Sequence, residues 1–192
     1  MELRVTTAPS KLPVEVLDAR QHLQIEHTDD DGYIKTLIKA ATNVAQIITG
    51  RKFITQTITI ELDATETASP IRLPYPPFQS VTTFKYYDGD RTKQTVDSAT
   101  YSTIGTNPAR IVADDGGWSV YQSYQALEIV YVVGYGLTSA SIPEDIVHAI
   151  KIIVADLWNN PESSKLETRT QLTANQVPYA ALALLQPYRV LT

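Results

Sequence analysis

The chain has 192 residues, 43% of them hydrophobic and 19% charged, and a formal net charge of −5 from 16 basic and 21 acidic side chains. A chain of this length buries about 70% of its unfolded surface and needs neither metal nor disulfide for a core, and this composition argues against general disorder. The lack of cysteine excludes thiolate nucleophiles, thiolate metal sites and disulfides, and the acidic balance, with no basic run longer than Arg51–Lys52, argues against a tight grip on duplex DNA.

The elements fall into three blocks. Pro13–Gly50 reads as two helices. The first opens at Pro13-Val14-Glu15-Val16-Leu17-Asp18, with acids at the positive end of the helix dipole, and runs to about Leu23. The second follows Asp29-Asp30-Asp31, and Ile34, Leu37, Ile38, Ala41, Val44, Ala45 and Ile48 keep the spacing of one buried face. Gly50 is placed to stop it in the left-handed conformation.

From Phe53 to Gly136 the pattern changes to strands. Ile58, Ile60 and Leu62 alternate with Thr57, Thr59 and Glu61, as a half-buried strand requires. Val81–Tyr87, Thr100–Ile104 and Leu127–Val133 read the same way, and Asp88-Gly89-Asp90 marks a hairpin turn. Leu73-Pro74-Tyr75-Pro76-Pro77 cannot be a central strand, because prolines donate no ladder hydrogen bond. This block holds 5 basic and 9 acidic residues, so most of the net charge resides in it.

Helix returns at Pro143-Glu144-Asp145, with Ile146, Ile150, Ile153, Val154 and Leu157 as its buried stripe and Asn159-Asn160-Pro161 as its end. Glu162–Gln176 is almost wholly polar and reads as a flexible connector, and Val177–Leu185 is a short apolar helix. The predicted class is therefore α+β: a helical frame from the N- and C-terminal segments with an inserted small antiparallel β domain. The predicted boundaries are 1–52 for the N-terminal helical part, 53–136 for the β domain, 137–160 for the third frame helix and 161–192 for the connector and C-terminal helix. The most apolar stretches, Leu127–Val133 and Ala180–Leu185, fall short of the ~20 residues a membrane helix needs. Met1–Lys11 lacks the apolar run of a secretory signal. A protein made in the cytosol and soluble throughout is expected.

Motifs of chemistry are few. The sequence contains no G-x-G-x-x-G, G-x-x-x-x-G-K, G-x-S-x-G or H-E-x-x-H. His22 and His27 would need further ligands for a metal site, which Asp29–Asp31 could supply as oxygens; the favoured reading is a solvated acidic loop capping the second helix. Asp29-Asp30-Asp31-Gly32 fails the calcium-loop spacing, because its glycine comes too early and no acid closes a twelve-residue loop. His148 reads as a structural or contact residue beside a buried stripe. Asp114-Asp115-Gly116-Gly117 reads as a solvated turn rather than a catalytic pair, since adjacent residues on extended chain point to opposite faces. No catalytic, cofactor-binding or metal-binding residue is assigned. The 11 tyrosines are scattered, as core or interface residues are.

Several segments, taken in order, resemble the larger members of the tailed-bacteriophage head–tail connector (adaptor, head-completion) family, also found in gene transfer agents. Pro13-Val14 through Ala19 with His22-Leu23 is similar to the family's opening helix, with Glu15 where a Ser or Thr cap is common. Asp29-Asp30-Asp31, the helix ending Thr49-Gly50-Arg51 and Ile54-Thr55-Gln56-Thr57 resemble its second helix and first strand. Leu73–Val81 resembles its proline-rich turn. Tyr131–Gly136 with Ile142–Ile146 and Ala149-Ile150 resembles its strand-to-helix junction, and Leu184–Arg189 its closing motif. Trp158-Asn159-Asn160-Pro161 departs from the usual aromatic-acid-Asn-Arg ending of the third helix.

The resemblance implies a structural virion protein, assembled in the host cytoplasm and located at the head–tail junction. It implies a ring of copies, commonly dodecameric, docked on the portal protein, extending the DNA channel and offering a platform for the stopper or tail-completion protein. Contact with translocating DNA would be transient and non-specific, and no membrane is involved. Closure of a ring requires a head-to-tail interface, expected to bury about 1,200–2,000 Å² or more. The C-terminal segment, with Val177, Tyr179, Leu182, Leu184, Leu185, Pro187, Tyr188 and Arg189, is the expected portal-docking element, a polar tether with an apolar hook that orders on docking. Its alternative is to fold back on its own subunit. Truncation after Pro161 is expected to abolish portal binding and leave the rest folded. Acids on the β domain either line the channel and repel DNA or face outward for solubility. Competing readings are a stopper or tail-completion factor, a non-viral carbohydrate- or protein-binding β module using Tyr75, Tyr121 or Tyr124, and a hydrolase in which Asp114 or Asp115 converges with His148.

Overall fold

A computed structural model of the chain describes residues 1–64, 70–114, 124–161 and 177–190. These form two compact units, one of Met1–Ser10 with Arg51–Leu137 and the other of Lys11–Gly50 with Thr138–Leu191.

The second unit contains α1 (Val16–Leu23), α2 (Asp31–Thr49), α3 (Glu144–Asn159) and α4 (Tyr179–Leu185). The spacing of apolar residues in α2 buries Ile34, Leu37, Ile38, Ala41 and Ala45 along one face, while Val44 and Ile48 flank it half-buried. Gly50, at φ +69°, ends α2, and its N–H donates to the Gln46 carbonyl at 2.8 Å. Gln24 ends α1 in the same left-handed region, at φ +58°, where a side chain costs about 1–2 kcal/mol. In α3, Pro143 precedes the first turn and Glu144 and Asp145 lie at the positive end of its dipole. Ile146, Ala149, Ile150, Ile153 and Val154 are buried, and Leu157 is half-buried. Full burial of each of these large aliphatic side chains contributes about 1.5–3 kcal/mol. α3 packs against α1, α2 and α4. No described helix is long and apolar enough to cross a membrane.

The first unit holds β1 (Glu2–Thr7), β2 (Gln56–Leu62), β3 (Ile71–Arg72), β4 (Phe78–Tyr87), β5 (Lys93–Thr95), β6 (Tyr101–Ile104), β7 (Arg110–Ala113) and β8 (Leu127–Val133). They build two antiparallel sheets, one ordered β1-β2-β8-β4-β5 and the other β3-β7-β6. The sequence predicts a single sheet with no element before Pro13. β1 is short, and although Leu3 and Val5 alternate with Glu2, Arg4 and Thr6, five of its six residues are exposed, so the alternation marks no buried face. Its place comes from pairing with β2, with Leu3 opposite Ile60 and Arg4 opposite Thr59. The first residues therefore belong with the sheet and not with the helical frame to which the sequence assigns 1–52.

Alternation in β2 and β8 does set their register. Ile58, Ile60 and Leu62 lie opposite Tyr131, Ile129 and Leu127, and all six are buried in one core with Ile71, Leu73, Phe84, Ala109 and Ile111. On the other face Glu61 lies opposite both Glu2 and Glu128, and like charges directly opposite destabilise a sheet. Basic and amide groups offset the repulsion: Arg4 Nη2 lies 3.5 Å from Glu61, Lys93 Nζ donates to Glu128 at 2.7 Å, and Gln125 Nε2 donates to Glu2 at 3.0 Å. The Asp88 turn joins β4 to β5 as predicted. One Asp88 carboxylate oxygen accepts the N–H groups of Asp90 and Thr92 and the other accepts from Gln94 Nε2.

Candidate functional site

Two of the segments on which the resemblance rests meet inside the sheet unit, where the proline-rich turn packs on the end of β8. Tyr131, fully buried, donates its hydroxyl to the Pro74 carbonyl at 3.1 Å. The N–H of Lys52 donates to Pro76 O at 3.1 Å and that of Gly134 to Pro77 O at 2.8 Å. Gln79 Nε2 bonds Gly134 O at 2.6 Å and Thr55 Oγ1 at 2.9 Å. Proline has no N–H to give, so the turn offers carbonyls, and neighbouring N–H and O–H groups satisfy them. Lys52 Nζ also lies 4.8 Å from the centre of the Tyr75 ring, within cation–π range, and burial lowers its pKa. These bonds join the proline-rich turn to the end of β8.

The predicted docking segment is divided between inward and outward sides. α4 packs on α3, with Ala181 and Leu185 buried. Val177, Leu182, Leu184 and Tyr188 are half-buried, and the Tyr188 hydroxyl donates to Asp145 Oδ2 at 3.0 Å. Beyond α4 the Val190 N–H donates to Thr49 O at 2.9 Å, tying the segment to the end of α2. Tyr179 is 85% exposed, and Pro187 and Arg189 are exposed as well. Of the eight residues, these three are open to a partner. A truncation after Pro161 would therefore remove core side chains as well as these exposed ones. Leu185→Ala alone is expected to cost about 2–5 kcal/mol, read as a lowered urea midpoint. The Glu162–Gln176 connector lies outside the described residues.

The remaining candidates have local partners. His22 of α1 and His148 of α3 meet edge to face, with ring centres 5.9 Å apart. Burial, with lesser contributions from His148 and Lys151, lowers the pKa of His22. His27 Nδ1 lies 3.7 Å from Asp30 and Arg20 Nε 3.5 Å from Asp31, while Asp30, at the N-cap of α2, makes none of the side-chain capping hydrogen bonds that the sequence reading expects. Among the described residues no three His, Cys, Asp or Glu side chains cluster as metal ligands. Asp114 accepts a hydrogen bond from Ser102 Oγ at 3.0 Å. Asp115, Gly116, Gly117 and Tyr121 lie outside the described residues. Tyr75 is half-buried beside Lys52, and Tyr124 is 88% exposed.

Comparison with solved structures places the whole fold. A chain from the neck of an empty gene transfer agent particle computed with C6 symmetry superposes with a TM-score of 0.81 at 20% identity, over 100% of this chain and 97% of that one. The neck of a native particle computed with C12 symmetry gives 0.78 at 20%, with the same coverage. A chain from the virion of a native particle gives 0.77 at 19%, again over 100% and 97%. At these identities the likeness is one of fold. No curated protein matches the chain. The family model described as head completion protein matches residues 14–191, nearly the full length, and the chain belongs to the head completion protein family.

Proposed function

We propose that the protein is a structural virion component, a head–tail connector that forms a ring beneath the portal, extends the DNA channel and receives the stopper or tail. The observation that carries this reading is the coincidence of the head completion match over 14–191 with a full-length fold likeness to chains of gene transfer agent necks. One of those necks was computed with C12 and another with C6 symmetry, and a twelve-membered ring is compatible with both. Contact with passing DNA is transient and non-specific, because two basic residues of the sheet, Arg4 and Lys93, are already paired with Glu61 and Glu128 and the net charge is −5.

Portal docking, on this reading, uses the outward side of the C-terminal segment. Tyr179→Glu with Arg189→Glu is expected to weaken binding to the portal at least tenfold, measured by co-sedimentation, with an unchanged melting temperature. Undiminished binding would remove this segment from the interface. The connector role itself is tested by electron microscopy of lysates after deletion of the gene. DNA-filled or leaking heads beside unattached tails are expected. Normal infectious particles would overturn the role.

A further inference from the structure

One row of side chains across the three-stranded sheet is basic. Arg72 of β3 lies directly opposite Arg110 of β7, and Arg110 lies opposite Ile104 of β6. Both arginines are exposed and Ile104 is 59% exposed, while the adjoining pair Ile71 and Ile111 is buried. Successive strand residues point to opposite faces, so the three form one exposed row. Directly opposite side chains stand about 4.5–5.5 Å apart, and like charges there destabilise a sheet. In the five-stranded sheet the opposed acids Glu2, Glu61 and Glu128 have basic or amide partners. The arginine row contains no carboxylate, and Arg110 belongs to none of the ion pairs among the described residues. Asp114 is four residues beyond Arg110, about 13 Å along an extended strand, and accepts from Ser102.

We infer that Arg72 and Arg110 form the contact for a phosphodiester group of the DNA that passes the connector. The inference rests on the connector reading, which brings a polyanion through the ring. A guanidinium meets phosphate oxygens with two parallel N–H groups, and a phosphate set between the two side chains replaces their repulsion with attraction on both sides. The segment 53–136 holds 5 basic and 9 acidic residues, so the positive surface is confined to this row. Each phosphate neutralised contributes about −0.9 to the slope of log affinity against log salt, so one copy with two arginines supplies about −1.8. That is a contact which salt readily releases, as a surface that DNA must slide past requires.

Full-length protein assembled on the portal is titrated with a short fluorescent DNA duplex over a series of salt concentrations, and ring formation is followed by native mass spectrometry. Arg72→Glu with Arg110→Glu is expected to weaken binding at least about fivefold at low salt and to make the salt slope shallower by about 1.8 for each engaged copy. Lys35→Glu with Lys39→Glu makes the same change of net charge at two exposed positions of α2 and is expected to leave affinity and slope unaltered. An equal loss from that variant would mean that net charge alone acts, and would overturn the inference. Arg110→Glu by itself places opposite charges across the strand pair, so it is expected to melt no lower than the native chain and still to bind DNA more weakly. Undiminished binding by intact rings of the double arginine variant would overturn the inference and leave the connector reading in place. Folded double variant that no longer forms rings would assign the arginines to the contact between copies instead. Failure of the native chain to form any ring with the portal would overturn the connector reading itself.

Discussion

Gly134→Ala is expected to destabilise the sheet unit by about 4 kcal/mol or more, a large share of the ~5–15 kcal/mol that holds a typical domain together. Gly134 has φ +122°, a conformation that L side chains rarely adopt, and occupying such a region costs about 1–3 kcal/mol. The added Cβ would also sit 2.7 Å from Ile54 C, Ile54 O and Thr55 N. These are backbone atoms and cannot rotate aside. Moving them would disturb the bonds from Gly134 N–H to Pro77 and from Gln79 to Gly134 O. Gly32→Ala is the control: no atom lies within 4 Å of its Cβ position, and alanine in a helix gains about 0.8–1 kcal/mol over glycine. The urea midpoint should fall for the first variant and rise slightly for the second. A native-like midpoint for Gly134→Ala would show that the chain relaxes there without cost.

Tyr131 gives the second large effect and a pH signature. Its ring is fully buried among the sheet residues, and Tyr131→Ala is expected to cost about 3–5 kcal/mol through the cavity it leaves. Tyr131→Phe keeps the ring but leaves the Pro74 carbonyl without its donor, at about 1–3 kcal/mol. Burial first, and Tyr75 second, push the Tyr131 phenol far above its ordinary value. The folded state therefore holds the proton more tightly than the unfolded chain, whose tyrosines titrate near pH ~10. The stability this provides is complete below about pH 10 and is lost as pH rises through the folded value. Tyr101 and Tyr135 are pushed up by burial and add to the same loss, while Lys52, pushed down by burial, opposes it. Urea midpoints measured from pH 8 to pH 11 should fall steeply for the native chain and less steeply for Tyr131→Phe. Equal slopes would remove Tyr131 as the main cause.

The portal-docking prediction rests on a smaller set of exposed atoms, and here the sequence leaves two readings open. Val177–Leu185 is apolar enough to need a partner, and the sequence cannot say whether that partner is another protein or the same chain. Burial of Ala181 and Leu185, with the bonds from Tyr188 to Asp145 and from Val190 to Thr49, shows that the segment packs on its own chain. Tyr179, Pro187 and Arg189 are left outside.

Periodicity determined α2, α3, β2 and β8, because each buries a whole face of its own and must repeat apolar residues at the helical or strand period. Glycine and proline chemistry determined where α2 stops and α3 starts. What was missed is short or lies at an edge: the exposed edge strand β1, the two-residue β3, the four-residue β7 and the division into two sheets. Their places are set by hydrogen-bonding partners far away in the sequence. The proline-rich turn was legible as a motif, yet its role as the acceptor for Tyr131, Lys52 and Gly134 came only from tertiary contact. A residue's neighbours across space, and not its own type, decide whether its surface is consumed by the core or left exposed.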